Sequence, residues 1–234
     1  PVWSPGSYKI RDYPKQVQRL EVRGSDHETR HVEKLDKATW RVDTKRTDSL
    51  TVGYELYAHD LNVRKNHLDD THCFIHGVAT YLYPEDRLDD SVDVVVEPPS
   101  GYGWDVYTGL ERADSGTNRF TAPNYDILFD TPIHMGDHDP LTFEVDGIEH
   151  QMIFWGDGNY DRDKIADDLP RVVEANRDIF GSLPYDDYLF ITMIGDRRGG
   201  GLEHLNSTAL LCARDGFRTE GQPGDVEDGH TDFL

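Results

Sequence analysis

The chain has 234 residues, a formal net charge of −21, 36% hydrophobic residues and 11% aromatic residues. That apolar share suffices for a core and excludes a disordered chain. No apolar run reaches the roughly 18 residues a membrane-spanning helix needs, and the negative field repels phosphate backbones, so neither a membrane span nor a nucleic-acid partner is expected.

Asp outnumbers Glu, and Arg outnumbers Lys. Short, dispersed carboxylates with few lysine stems suit concentrated salt, where the Debye length falls to about 3 Å. We read this as a halophilic surface, with an ordinary acidic surface as the alternative. Cys73 and Cys212 are far apart in sequence. A reduced pair in a cytoplasmic protein is the expectation, with a disulfide between them left open.

The stretch to Gly147 is β-rich. Leu50–Ala58 alternates, with Leu50, Val52, Tyr54 and Leu56 on one face. Ser91–Pro99 alternates through Val92, Val94 and Val96 and stops at two prolines. Leu141–Trp155 is two strand patterns joined by Asp146-Gly147, a pair suited to the positive φ angles of a tight hairpin. No helical period occurs in this stretch, so an antiparallel sandwich or saddle of sheets is expected over residues 1–147.

A smaller α/β part is expected over residues 148–234. Asp161–Gly181 places Ile165, Leu169, Val172, Val173, Ile179 and Phe180 on one helical face. Asp161 or Asp163 is positioned to cap its start, Gly181 to close it, and Pro170 to kink or restart it. Tyr188–Ile194 reads as a strand buried on both faces, and Ser207–Ala213 as another. Asp215–Gly229 reads as a polar loop, and His230–Leu234 as the start of a further helix.

Two strings resemble metal motifs. His27–His31 spells H-E-x-x-H, which binds zinc only when a helix turns both imidazoles to one side. A turn signal, Gly24-Ser25-Asp26, precedes it and no helical face follows, so a hairpin loop is expected. Gly156–Asp163 resembles a calcium loop, but Arg162 stands where the sixth-position glycine belongs, so a turn with a helix cap is expected.

Arg197–Leu211 is the most informative segment. Glycines 199–201 leading into a strand allow another backbone to approach, as when a peptide pairs with a sheet edge. Glu203 on that edge is placed to take a peptide's α-ammonium through a charge-assisted hydrogen bond. A flexible loop with a surface Glu-His pair is the competing reading.

Together with this segment, Val2–Tyr13, Val32–Val42, Tyr54–His72 and Asp130–Asp137 resemble metallopeptidase family sixty-one, the glycyl aminopeptidases. The resemblance implies a β-domain followed by the incomplete first lobe of a thermolysin-like catalytic domain. It implies a zinc-dependent aminopeptidase acting on small N-terminal residues, often with a PDZ domain. By the further likeness to family-one aminopeptidases, Gly200, Gly201 and Leu202 lie along the peptide, Glu203 holds its ammonium, and His204, which stands where Asn is usual, is expected to bind substrate or to hydrogen-bond the neighbouring strand. The resemblance also puts the zinc ligands, general base and other catalytic groups downstream of Leu234. Residues 1–234 are therefore expected to hold no metal and to cleave nothing alone. In His67–Gly77, Asp69, Asp70, Thr71 and His72 are expected to satisfy turn backbone rather than touch substrate, and His76 replaces the family's Asn. A non-catalytic peptide-binding β-sandwich module is the alternative from another class.

Overall fold

The computed structural model describes residues 9–113, 118–196 and 200–217. The sequence readings for Val2–Tyr13 up to Tyr8, for glycine 199, and for the tail beyond Phe217 lie outside the described residues.

Among the described residues there are five sheets, mostly antiparallel. β1 (Val17–Gly24) pairs with β4 (Leu50–Leu56), and β2 (Val32–Lys34) with β3 (Trp40–Val42). β5 (His67–Leu68), β6 (His72–Ile75), β8 (Asp105–Thr108) and β11 (Ile133–Gly136) form a four-stranded sheet. β7 (Val92–Val95), β9 (Glu111–Arg112) and β10 (Arg119–Ala122) form a three-stranded one. The last sheet has the order β12 (Leu141–Val145), β13 (Ile148–Trp155), β14 (Asp187–Gly195), β16 (Ser207–Ala213) and β15 (Gly200–Glu203). This mainly β architecture with a smaller α/β part is the one expected.

Local chemistry explains the joints. Asp146 and Gly147 adopt φ of 55° and 81°, which closes the β12–β13 hairpin. The expected 147/148 division falls inside this hairpin. Both its strands are hydrogen-bonded into the five-stranded sheet, so the chain passes between sheets at residues 137–140.

Three α-helices appear among the described residues. α1 (Gly77–Thr80) and α2 (Tyr125–Asp130) were not expected, because four and six residues are too few to display a helical period. Asn124 caps α2 by accepting from Ile127 N–H. α3 (Arg162–Phe180) is capped by the Asp161 side chain on Lys164 N–H and closed by Gly181 at φ 86°. The expected break at Pro170 does not occur, and α3 runs through it. An interior proline, through its missing N–H and the clash of its ring with the carbonyl four residues back, costs about 3 kcal/mol. Burial of Ile165, Leu169 and Val173, at about 1.5–3 kcal/mol each, outweighs it. Ile179 and Phe180 depart from the expected face and are exposed.

Strand β14 is covered on both sides, as its apolar run implied. Leu189, Ile191 and Met193 pack with Val63, Phe74 and Tyr107 of the preceding β-region. The opposite face packs Met152, Phe154 and Ile194 against Ile165 and Leu169 of α3. Cys73 and Cys212 are not bridged to each other and lie in different core clusters. Among the described residues no helix is long and apolar enough to cross a membrane.

Imidazoles occupy this interior to an extent the sequence did not announce: His67, His72, His76, His134 and His150 are all buried. His76 precedes α1, and neither of its ring nitrogens has a hydrogen-bond partner among the described residues. Burial, reinforced by His204 and Arg64, lowers its pKa to about 3. The free ring titrates near 6.5, so the folded state keeps His76 neutral. Its contribution is intact above about pH 6.5 and is lost as pH falls towards 3. We expect His76→Asn to flatten the decline in melting temperature between about pH 6.5 and pH 4, removing up to about 1.4 kcal/mol of destabilisation per pH unit. Parallel curves for the two proteins would contradict this.

Candidate functional site

Strand β15 is the edge of the five-stranded sheet, and among the described residues no strand pairs with its outer side. It runs antiparallel to β16 with Gly200↔Leu211, Gly201↔Leu210, Leu202↔Ala209 and Glu203↔Thr208. Gly200 has φ of +72°, a left-handed conformation that disfavours any side chain. At Gly201 a Cβ would stand 3.0 Å from Leu210 Cδ2. The two glycines thus keep one short stretch of rim free of side chains.

Alternation then sorts the next two residues. Leu202 is 2% exposed and joins the cluster of Ala209, Ile191 and Phe74. Glu203 points to the other face, the one α3 covers. It is exposed, and its carboxylate makes no ion pair or hydrogen bond among the described residues. On that face its partner Thr208 lines a groove of about 600 Å³ with Leu169 and Val172 of α3, and Tyr188, Phe190 and Leu210 of the sheet. Burial, the neighbouring Tyr185, and the charges of Glu203 and Asp130 push the Tyr188 phenol up to about 12.

The far end of β15 is pinned. His204 Nδ1 lies 3.1 Å from Asp130 Oδ1, and Leu205 N–H donates to Asp130 Oδ2 at 2.8 Å. Asn206 donates to Gly109 O at 2.9 Å and to Asp187 Oδ1 at 3.1 Å. Burial pushes the Asp130 carboxyl upward, but the hydrogen bonds from His204 and Leu205 outweigh it and hold it below the usual range. The His204 side chain is only 3% exposed, and its Nε2 has no hydrogen-bond partner among the described residues. His204 therefore faces Asp130, while Glu203 beside it faces solvent. Asp130 sits at the end of α2, an element with no recognisable periodicity, so its role was not visible in the sequence.

The other motifs resolve differently. His27 has φ of 64° and lies with His31 in an exposed turn after β1, so H-E-x-x-H does not fit a catalytic zinc. Asp26 there is paired to Arg30 at 2.6 Å. In Gly156–Asp163, Asn159 is engaged with the backbone of Phe217 and Asp161 caps α3. Asp69 Oδ1 accepts from Thr71 N, Thr71 Oγ1 and His72 N, the turn-satisfying arrangement expected of that loop.

Removing the Asp130 carboxylate strands the donors of His204 and Leu205. We expect Asp130→Ala to cost about 1–3 kcal/mol in denaturant unfolding and to speed hydrogen exchange in β15 and β16 more than in β12 and β13. Equal exchange across the sheet would contradict this pinning.

The Peptidase M61 N-terminal domain is found over residues 1–137. A crystal structure of an aminopeptidase N family protein from Idiomarina loihiensis is 33% identical and superposes with a TM-score of 0.91, over 100% of this chain and 40% of that one. An M1 zinc metallopeptidase from Deinococcus radiodurans is 14% identical with a TM-score of 0.45, over 83% of this chain and 51% of that one. No curated protein sequence matches. The chain spans less than half the length of the Idiomarina protein. With more than half of its residues inside that domain, the chain belongs to the M61 peptidase family.

Proposed function

We propose that this chain forms the substrate-anchoring part of a zinc-dependent aminopeptidase acting on peptides with small N-terminal residues. In this reading a peptide lies antiparallel along the free side of β15, with Gly200, Gly201 and Leu202 against its backbone. Glu203 takes the α-ammonium, which fixes the distance from the free amino end to the bond that is cut. His204 and Asp130 hold the strand rather than the substrate. Zinc, as the fold family implies, would supply the activated water, but the H-E-x-x-H at 27–31 does not fit that metal. The ligands of the catalytic ion are therefore assigned to no residue described here.

The single observation that supports the reading is the state of Glu203: an exposed, unpaired carboxylate directly after a side-chain-free rim, beside a groove. A small first residue suits a rim without side chains. The same edge would also serve a non-catalytic peptide-binding module, which differs in having no turnover.

The test is kinetic and uses the whole enzyme. Glu203→Ala should lower kcat/KM for free-amine dipeptides about ten- to hundredfold, the value of one hydrogen bond to a charged group. N-acetylated peptides, lacking the ammonium, should be affected far less. Equal loss on both substrate types, or no loss, would refute the role. The 234-residue chain by itself should hydrolyse no peptide, and turnover by it would contradict the division of labour.

A further inference from the structure

The turn between β5 and β6 carries a cluster that the amine-binding reading does not use. His67 pairs in register with Phe74, and His72 lies two residues before Phe74, so both histidines share one face of the hairpin. His67 Nδ1 lies 2.8 Å from His72 Nε2. Asp69 sits between them in the turn, its Oδ1 fixed by Thr71 and His72 and its Oδ2 uncommitted among the described residues. One ligand atom from each of the three falls within 4.8 Å of the others, and no other such group exists among the described residues. Turn geometry and the hairpin register preorganise all three side chains.

We propose that His67 Nδ1, His72 Nε2 and the Asp69 carboxylate bind a transition-metal ion of the zinc class. Two imidazoles and one carboxylate favour zinc, cobalt or nickel over magnesium or calcium, and water completes the tetrahedron. Zinc–nitrogen bonds of about 2.1 Å need the two nitrogens about 3.4 Å apart, so the rings open by roughly half an ångström. The proton now shared between them moves to the other nitrogen of the same ring, and none is released. Binding here departs from the expectation that residues 1–234 hold no metal.

The ion would also clamp two sheets together. The His72 ring stacks on Trp155 at 3.7 Å between centroids and 17° between planes. Trp155 Nε1 donates to Thr71 Oγ1 at 2.9 Å. Trp155 ends β13 in the five-stranded sheet, so an ion on the hairpin ties it to that sheet, with an indole in contact as reporter.

Cobalt(II) titrated into the full 234-residue chain tests this. Uptake of one ion per chain is expected, with the visible absorption of a tetrahedral nitrogen–oxygen site and quenching of tryptophan emission that disappears in Trp155→Phe. Asp69→Asn keeps the Oδ1 acceptor of the turn and removes the charge, so it should weaken binding at least about tenfold without lowering the melting temperature appreciably. His67→Gln should abolish the absorption band, and the double change His27→Ala, His31→Ala should leave it intact. No saturable uptake by the unmodified chain would overturn the site. So would uptake unchanged by Asp69→Asn and His67→Gln, or uptake lost with the His27 and His31 pair. The outcome is independent of any role for Glu203.

Discussion

A two-residue alternation on a four-residue strand governs what chemistry this chain offers. Leu202 is drawn into the core between the five-stranded sheet and the preceding β-region. Its burial, worth about 1.5–3 kcal/mol, sets the strand's rotation. A slip of one residue would bury the Glu203 charge and expose Leu202. The Glu203 carboxylate is consequently held outward by a hydrophobic contact on the opposite face.

That arrangement needs both halves of the molecule. Phe74 and Val63 supply part of the pocket that receives Leu202, while Asp130 and Gly109 fasten the turn that follows Glu203. The β-region thus works as a jig for the rim of the second sheet. The outer hydrogen-bonding side of β15 has no strand partner among the described residues, and Glu203 is exposed. An edge strand in that condition is normally a liability that proteins cover or charge. Here it is short, its start lacks side chains, and its end carries one negative charge, features that suit an extended ligand with a positive end.

Features governed by local chemistry were legible in the sequence. The Asp146-Gly147 hairpin, the Asp161 cap, the Gly181 closure and the doubly buried β14 follow from residues adjacent in the chain. Features set by distant partners were not. His67, His72 and His134 occupy strand positions where a polar residue implies solvent, yet each is buried by strands remote in sequence. Asp130 became important only when the fold brought it 74 positions back against His204. Pro170 misled because helix propensity was outweighed by the buried stripe on α3. The edge strand at Gly200–Glu203 was legible because glycines before a strand pattern constrain the backbone whatever surrounds them; the partners that pin its far end were not.

The most direct test is a crystal structure of the whole enzyme with a free-amine dipeptide or a non-hydrolysable analogue bound. The account predicts the ligand backbone hydrogen-bonded to the free side of Gly200 and Gly201, with the Glu203 carboxylate about 2.8 Å from the ammonium nitrogen. An ammonium seated on another acidic group, with Glu203 still turned to solvent, would contradict it.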